Sequence, residues 1–198
     1  MKKRIMVLGI LALVLFGSSI RAYAQTGRAD AFFRIFSSGT YHMKAMVTES
    51  GLTIDMEINM KNGMTATIVT MQGETIRTIL RDNKAHMIMD SEEMVMIMPA
   101  GAETAGGGGV STDGMRPSGS GTAQFGGRSL PYEEYRDAKG DRTQYFLDGT
   151  RLAGIRSISG SVTVDMVISE LNQNVPNNVF DIPQGYFVQD FSAFGGGN

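Results

Sequence analysis

The chain has no cysteine among its 198 residues. That excludes a disulfide framework, a thiolate metal site and a lipid-anchor cysteine, and leaves stability to a packed core. Histidine is nearly absent as well. His42 and His86 are the only two, and neither stands in a His-Glu-x-x-His or Cys-x-x-Cys context, so zinc would need carboxylates from distant segments. Each reads as a strand residue at the sheet surface. No Gly-x-Ser-x-Gly nucleophile elbow is present. Gly106 to Gly109 are not followed by Gly-Lys-Ser/Thr, so they do not read as a phosphate cradle. Asp137, Gly140 and Asp141 lack the alternating oxygen ligands of a calcium loop. The pairs Glu92-Glu93 and Glu133-Glu134 read as turn or surface charge, because adjacent strand residues point to opposite faces. The expectation is a protein without a catalytic centre or cofactor.

Positive charge is also scarce. The first residues, MKKRIMVLGILALVLFGSSIRAYAQ, have a basic start, an apolar run from Ile5 to Phe16 and the small-x-small sequence Ala22-Tyr23-Ala24. That pattern is a secretory signal peptide over residues 1–24, and its apolar run is shorter than the roughly 20 residues of a membrane-spanning helix. Residues 25–198 are then an exported single domain with no transmembrane segment, in the periplasm or, without an outer membrane, secreted. Removing Lys2, Lys3, Arg4 and Arg21 leaves a net charge of -6. Nucleic acid is excluded as a partner, since its binders neutralise phosphates with clustered Lys and Arg.

Regular patterning fills most of what remains. In ADAFFRIFSSG, residues Ala29, Phe32, Phe33 and Phe36 recur at helical spacing, which predicts one short amphipathic helix with an aromatic face. Beyond it the period changes to two. In TIDMEINM, Ile54, Met56, Ile58 and Met60 share one face and Thr53, Asp55, Glu57 and Asn59 the other. Short breaks such as Asn62-Gly63, Asp82-Asn83 and Asp148-Gly149 supply the positive φ of tight hairpins. Strands are predicted over 41–49, 52–60, 64–71, 74–81, 85–89, 93–98, 131–136, 142–148, 151–158 and 161–170. Connections this short join antiparallel neighbours. The fold class is therefore mainly β: a large curved antiparallel meander, bending into an incomplete, half-open barrel, with the N-terminal helix as its cover. Residues 100–129, rich in Gly, Ser, Thr and Ala, read as a mobile loop inserted in the sheet.

Methionine is the anomaly, with eleven of the fifteen between Met43 and Met98. Met94, Met96 and Met98 share a strand face, as do Met87 and Met89 on the strand before, and Asp90-Ser91-Glu92 would fold the two together. With His86 at the edge, Met87, Met89, Met94 and Met96 could hold a soft ion, Cu(I) or Ag(I). The competing reading is a flexible apolar wall, since buried methionine contributes about 1.5–3 kcal/mol and adapts to varied partners. Ile88, Val95 and Ile97 interleave with the methionines, so both faces of the hairpin are apolar, which packing requires and metal binding does not. The wall is the stronger reading.

The ending NVPNNVFDIPQGY, Asn174 to Tyr186, resembles the closing motif Val-Pro-x-x-x-Phe-x-(Ile/Leu)-Pro-x-Gly-Tyr of periplasmic proteins similar to the lipoprotein carrier LolA and its receptor LolB. The opening ADAFFRIFSSGTYHMKAMV resembles the first helix and strand of an uncharacterised family related to them. The resemblance implies an incomplete curved barrel whose concave face, covered by helices, receives lipid or acyl chains. It does not extend to lipoprotein transport: TESGLTIDMEINM has no counterpart of an arginine found in LolA, and the cysteine that makes LolB a lipoprotein is missing. Val175, Phe180 and Ile182 match the motif's apolar positions, and its Pro and Gly positions fall on Pro176, Pro183 and Gly185. Together these readings predict a non-enzymatic protein that binds an apolar small molecule, lipid or acyl chain. The expected wall is Met56, Ile58, Met60, Met94, Met96, Met98 and Phe180, with Phe32, Phe33 and Phe36 as a lid. An envelope protein docking on the sheet edge or the glycine-rich segment is a further possible partner.

Overall fold

The computed structural model describes residues 28–49, 52–71, 73–100 and 116–192. The expected signal peptide and residues 101–115 of the expected loop lie outside them. One α-helix, α1 (Asp30–Ser37), precedes twelve strands: β1 (Tyr41–Glu49), β2 (Leu52–Lys61), β3 (Met64–Met71), β4 (Glu74–Arg81), β5 (Lys84–Met89), β6 (Met94–Pro99), β7 (Arg116–Phe125), β8 (Arg128–Arg136), β9 (Arg142–Asp148), β10 (Arg151–Ser159), β11 (Val162–Asn172) and β12 (Phe187–Asp190). They form one open, curved sheet in the order β12-β6-β5-β4-β3-β2-β1-β11-β10-β9-β8-β7. All neighbours are antiparallel except β12, which runs parallel to β6. The predicted fold class is the one found, and no helix among the described residues is long and apolar enough to cross a membrane.

Hairpin turns set the register. Asn62, Asp82, Asn83, Gly63 and Gly149 all take positive φ, as two-residue turns between twisted strands require. The hairpin β5–β6 instead closes through a 3-10 turn at Asp90–Glu92, with Glu93 left-handed at φ 47.

Strand parity divides the sheet into two faces. On the helix face, Phe32, Phe33 and Phe36 of α1 are buried against Tyr41, Met43, Met56, Ile58, Tyr145 and Ile155. Phe33 meets Tyr145 and Tyr135 edge-on at 4.9 and 5.3 Å, a geometry that adds to the area each ring removes from water. The carboxylate of Glu133 on β8 accepts the N–H groups of Arg28 and Ala29 at 2.8 and 3.0 Å, satisfying donors just ahead of the helix that would otherwise lack partners.

The other face has two smaller cores. At one end Phe125 stacks on Phe146 at 4.1 Å. A Cβ at Gly154 would collide with the Phe125 ring and the Met166 carbonyl, so only glycine admits this stack. At the other end Phe180, with Val175, Val179, Ile182 and Tyr186, packs on Ala66, Ile79, Ile88 and Val95. The closing segment is thus a strap across the sheet.

Three expectations need correction. Residues 116–125 and 128–129 of the expected loop are strand, not loop. β7 is an edge strand whose side chains are nearly all exposed, Phe125 apart, so it needed no apolar alternation to form and left none in the sequence. Both histidines are buried rather than at the surface, with 6% and 7% exposure. Glu134 is no surface charge: it is buried and accepts hydrogen bonds from Gln144 and Ser118 at 2.9 and 3.1 Å. Burial opposes its ionisation, but these bonds together with Arg142 and Arg136 hold its pKa below the usual carboxylate value.

Candidate functional site: an uncovered methionine face

The helix covers only part of its face. The core cluster that contains its three phenylalanines draws on β1, β2 and β8–β11 and ends at Met60 and Val69. Past β3, the same face continues over β4, β5, β6 and β12 with no described element above it. Three strand spacings separate β2 from β5, about 14 Å.

Register fixes what this uncovered region displays. Ile76 of β4 lies opposite Met89, and Thr78 opposite Met87. Met87 and Met89 in turn lie directly opposite Met96 and Met94, while Met98 faces Ala85. Phe187 of β12 continues the row beside Met94. Met87 is buried among its neighbours, whereas Met89, Met94, Met96 and Met98 are half-buried and Phe187 is 64% exposed. Ten of the twelve described methionines share the helix face; Met46 and Met64 alternate to the other. Cross-strand pairs at such positions have Cβ atoms about 4.5–5.5 Å apart, so the thioethers form one continuous surface.

The predicted wall is therefore divided. Met56 and Ile58 lie under α1 in the packed core, with Met60 at its margin. Met94, Met96 and Met98 form the open region, and the lid aromatics Phe32, Phe33 and Phe36 do not reach it. Phe180 is not part of this wall at all, because it sits on the strap face. His86 is likewise separated from the methionines: it pairs with Ile79 and Ile97 on the strap face, with Met87 pointing the opposite way. A metal site combining them is not assembled. The His86 Nδ1 is buried without a hydrogen-bond partner, and burial, reinforced by Arg81 and Lys84, pushes its pKa below the ordinary value.

Sequence reasoning missed the strap's polar fastening. Lys61 donates to the Asn177 side chain at 2.8 Å, Arg77 to the Asp181 carbonyl at 3.1 Å and Tyr186 to Asp90 at 3.1 Å. The Phe187 N–H then bonds the Glu93 carbonyl at 2.8 Å and starts β12. The lone cations at strand positions 61, 77 and 81 were the available signal. A second unforeseen group is His42, whose Nδ1 lies 2.7 Å from Asn59 Oδ1, with Glu57 and Glu170 at 3.7 and 3.6 Å. It ties β2, β1 and β11 together on the strap face. Among the described residues, no group of His, Asp and Glu is arranged to hold a metal ion.

The class defined so far is an open antiparallel sheet with one covered and one uncovered apolar region on the same face. No family model matches the chain, and no curated protein is similar to it in sequence. Among solved structures, an uncharacterized conserved protein from Thermus thermophilus aligns with a TM-score of 0.51 at 11% identity, over 83% of this chain and 99% of that one. MucB aligns with a TM-score of 0.48 at 11% identity, over 83% of this chain and 66% of MucB. LprF from Mycobacterium bovis aligns at 0.40 and 10% identity, over 73% and 95%. The likeness to the Thermus protein is one of fold.

Proposed function

We propose that this protein is an exported, non-enzymatic binding protein that holds an apolar ligand, a lipid or acyl chain, against the uncovered methionine face. One observation carries the reading: Met89, Met94, Met96 and Met98 are only partly buried, beside the exposed Phe187, on a face whose remainder is packed under a helix. A contiguous apolar surface left open in a folded protein marks a binding region, and methionine side chains adapt to ligands of varied shape. The resemblance of Asn174 to Tyr186 to the closing motif of LolA- and LolB-like proteins supports the same reading, with export to the periplasm. Lipid extraction and mass spectrometry of the purified protein, with binding of the uncharged fluorophore Nile red, test it. Co-purifying lipid and saturable probe binding are expected; neither being found overturns the proposal.

A second reading has its own observation. The directly opposed pairs Met87/Met96 and Met89/Met94 offer neutral sulfur ligands suited to Cu(I) or Ag(I). Replacing Met94 and Met96 by leucine keeps the apolar surface and removes the sulfur. Silver affinity lost in that variant, with Nile red binding retained, supports the metal; silver affinity unchanged refutes it.

A further inference from the structure

Charge is sorted between the two faces of the sheet. Lys44, Lys61, Arg77, Arg81 and Lys84 all alternate onto the strap face, where three of them bind the strap: Lys61, Arg77 and Arg81. The arginines of β8, β9 and β10 occupy that face as well; Arg156, for example, holds Asp165 with two bonds of 2.6 and 2.7 Å. Among the described residues, no strand places Lys, Arg or His on the helix face. The cations on that side ride on or beside α1: Arg28 bonds the Gly149 carbonyl at 3.0 Å, far from the methionines, and Arg34 is exposed. What the uncovered face does carry at its rim is negative. Glu74 begins β4 on this face and Glu92 is exposed in the turn that closes the methionine hairpin, whereas Asp90 of the same turn accepts from Tyr186 of the strap.

We infer that the methionine face, taken as the ligand site proposed above, selects amphiphiles without a negative charge, neutral or cationic at the polar end, and rejects acyl carboxylates. The apolar tail gains the same burial in every case. The polar end decides. A carboxylate drawn against this face sheds water and finds no cation to replace it, which is costly, and the rim carboxylates repel it further. An uncharged head group is indifferent to that field, and an ammonium is attracted by it. Matching of charge, not area, sets the choice between ligands with one tail.

The test displaces Nile red from residues 25–198 with three dodecyl amphiphiles below their micellar concentrations: dodecyltrimethylammonium, dodecyl maltoside and dodecanoate, all at a pH where the last is ionised. The expected order is ammonium at least as tight as maltoside, with dodecanoate at least about tenfold weaker than maltoside, a gap that narrows in about 0.5 M salt as the rim is screened. Dodecanoate within about threefold of the maltoside overturns the inference while leaving the apolar-ligand reading intact. No Nile red binding overturns both. Gln189→Lys places a cation on this face of the edge strand, beside Met96, and should raise dodecanoate affinity about tenfold with the maltoside unchanged. Thr78→Lys does the same from β4, opposite Met87. No gain for dodecanoate in either folded variant counts against the inference.

Discussion

Two regions of one sheet face use similar residues to different ends. Under α1, Met43, Met56 and Met166 are locked among Phe33, Tyr41 and Tyr145, all buried to at least nine-tenths. On β5 and β6, Met89, Met94, Met96 and Met98 have sheet beneath them and no described element above. The difference is one short amphipathic helix. Three phenylalanines convert the first region to core, and beyond their reach the same side chains become a surface. Burial under the helix makes methionine structural, and its absence leaves methionine free to receive something else.

The comparison breaks most severely at the covered end. Phe33→Ala removes a ring in contact with two tyrosines and should cost about 3–5 kcal/mol of stability in urea unfolding. On the opposite face, Phe180→Ala empties the strap's anchor and should cost about 3 kcal/mol, with faster amide exchange at β12 than in β1 as the distinguishing readout. Met96→Leu on the open region, by contrast, should change stability by less than about 1 kcal/mol. If Met96→Leu proved as damaging as Phe33→Ala, the region would be core and the contrast would fail.

A smaller effect follows from pH. His86 is held neutral in the folded state, since burial depresses its pKa from the ordinary value near 6.5. The unfolded chain therefore takes up the proton first as pH falls, and stability declines as pH drops below about 6.5. Glu134, also depressed, loses its contribution only below the ordinary carboxylate value near 4.5. His86→Phe should flatten the decline between about pH 7 and 5.5 and leave the lower limb in place, as followed by urea midpoints.

How much of this was legible differs by element. The alternation in TIDMEINM and the turn residues placed β1 to β6 nearly to the residue, and Phe32, Phe33 and Phe36 placed α1. The incomplete curved sheet implied by the LolA-like resemblance is the sheet found. β7 and β12 escaped because edge strands take their structure from a neighbour and need no buried face of their own. The site was half legible. Parity put Met94, Met96 and Met98 together, but it also suggested Met56, Ile58 and Phe180 as companions, and these lie under the helix or on the other face.

The sequence by itself determined which side chains share a face, because a strand alternates with a period of two and a register slip would reverse every one of them. Only the tertiary structure decided which face is covered, and where. β5 and β6 are apolar on both sides, so Ile88 and Val95 were as good candidates for an open surface as Met94 and Met96. The strap, arriving from the far end of the chain with Phe180 and fastened to Lys61, Arg77 and Arg81, claims the Ile88 side. Among the described residues nothing covers the methionine side, because α1 is eight residues long, about 12 Å, too short to extend over β5 and β6 as well.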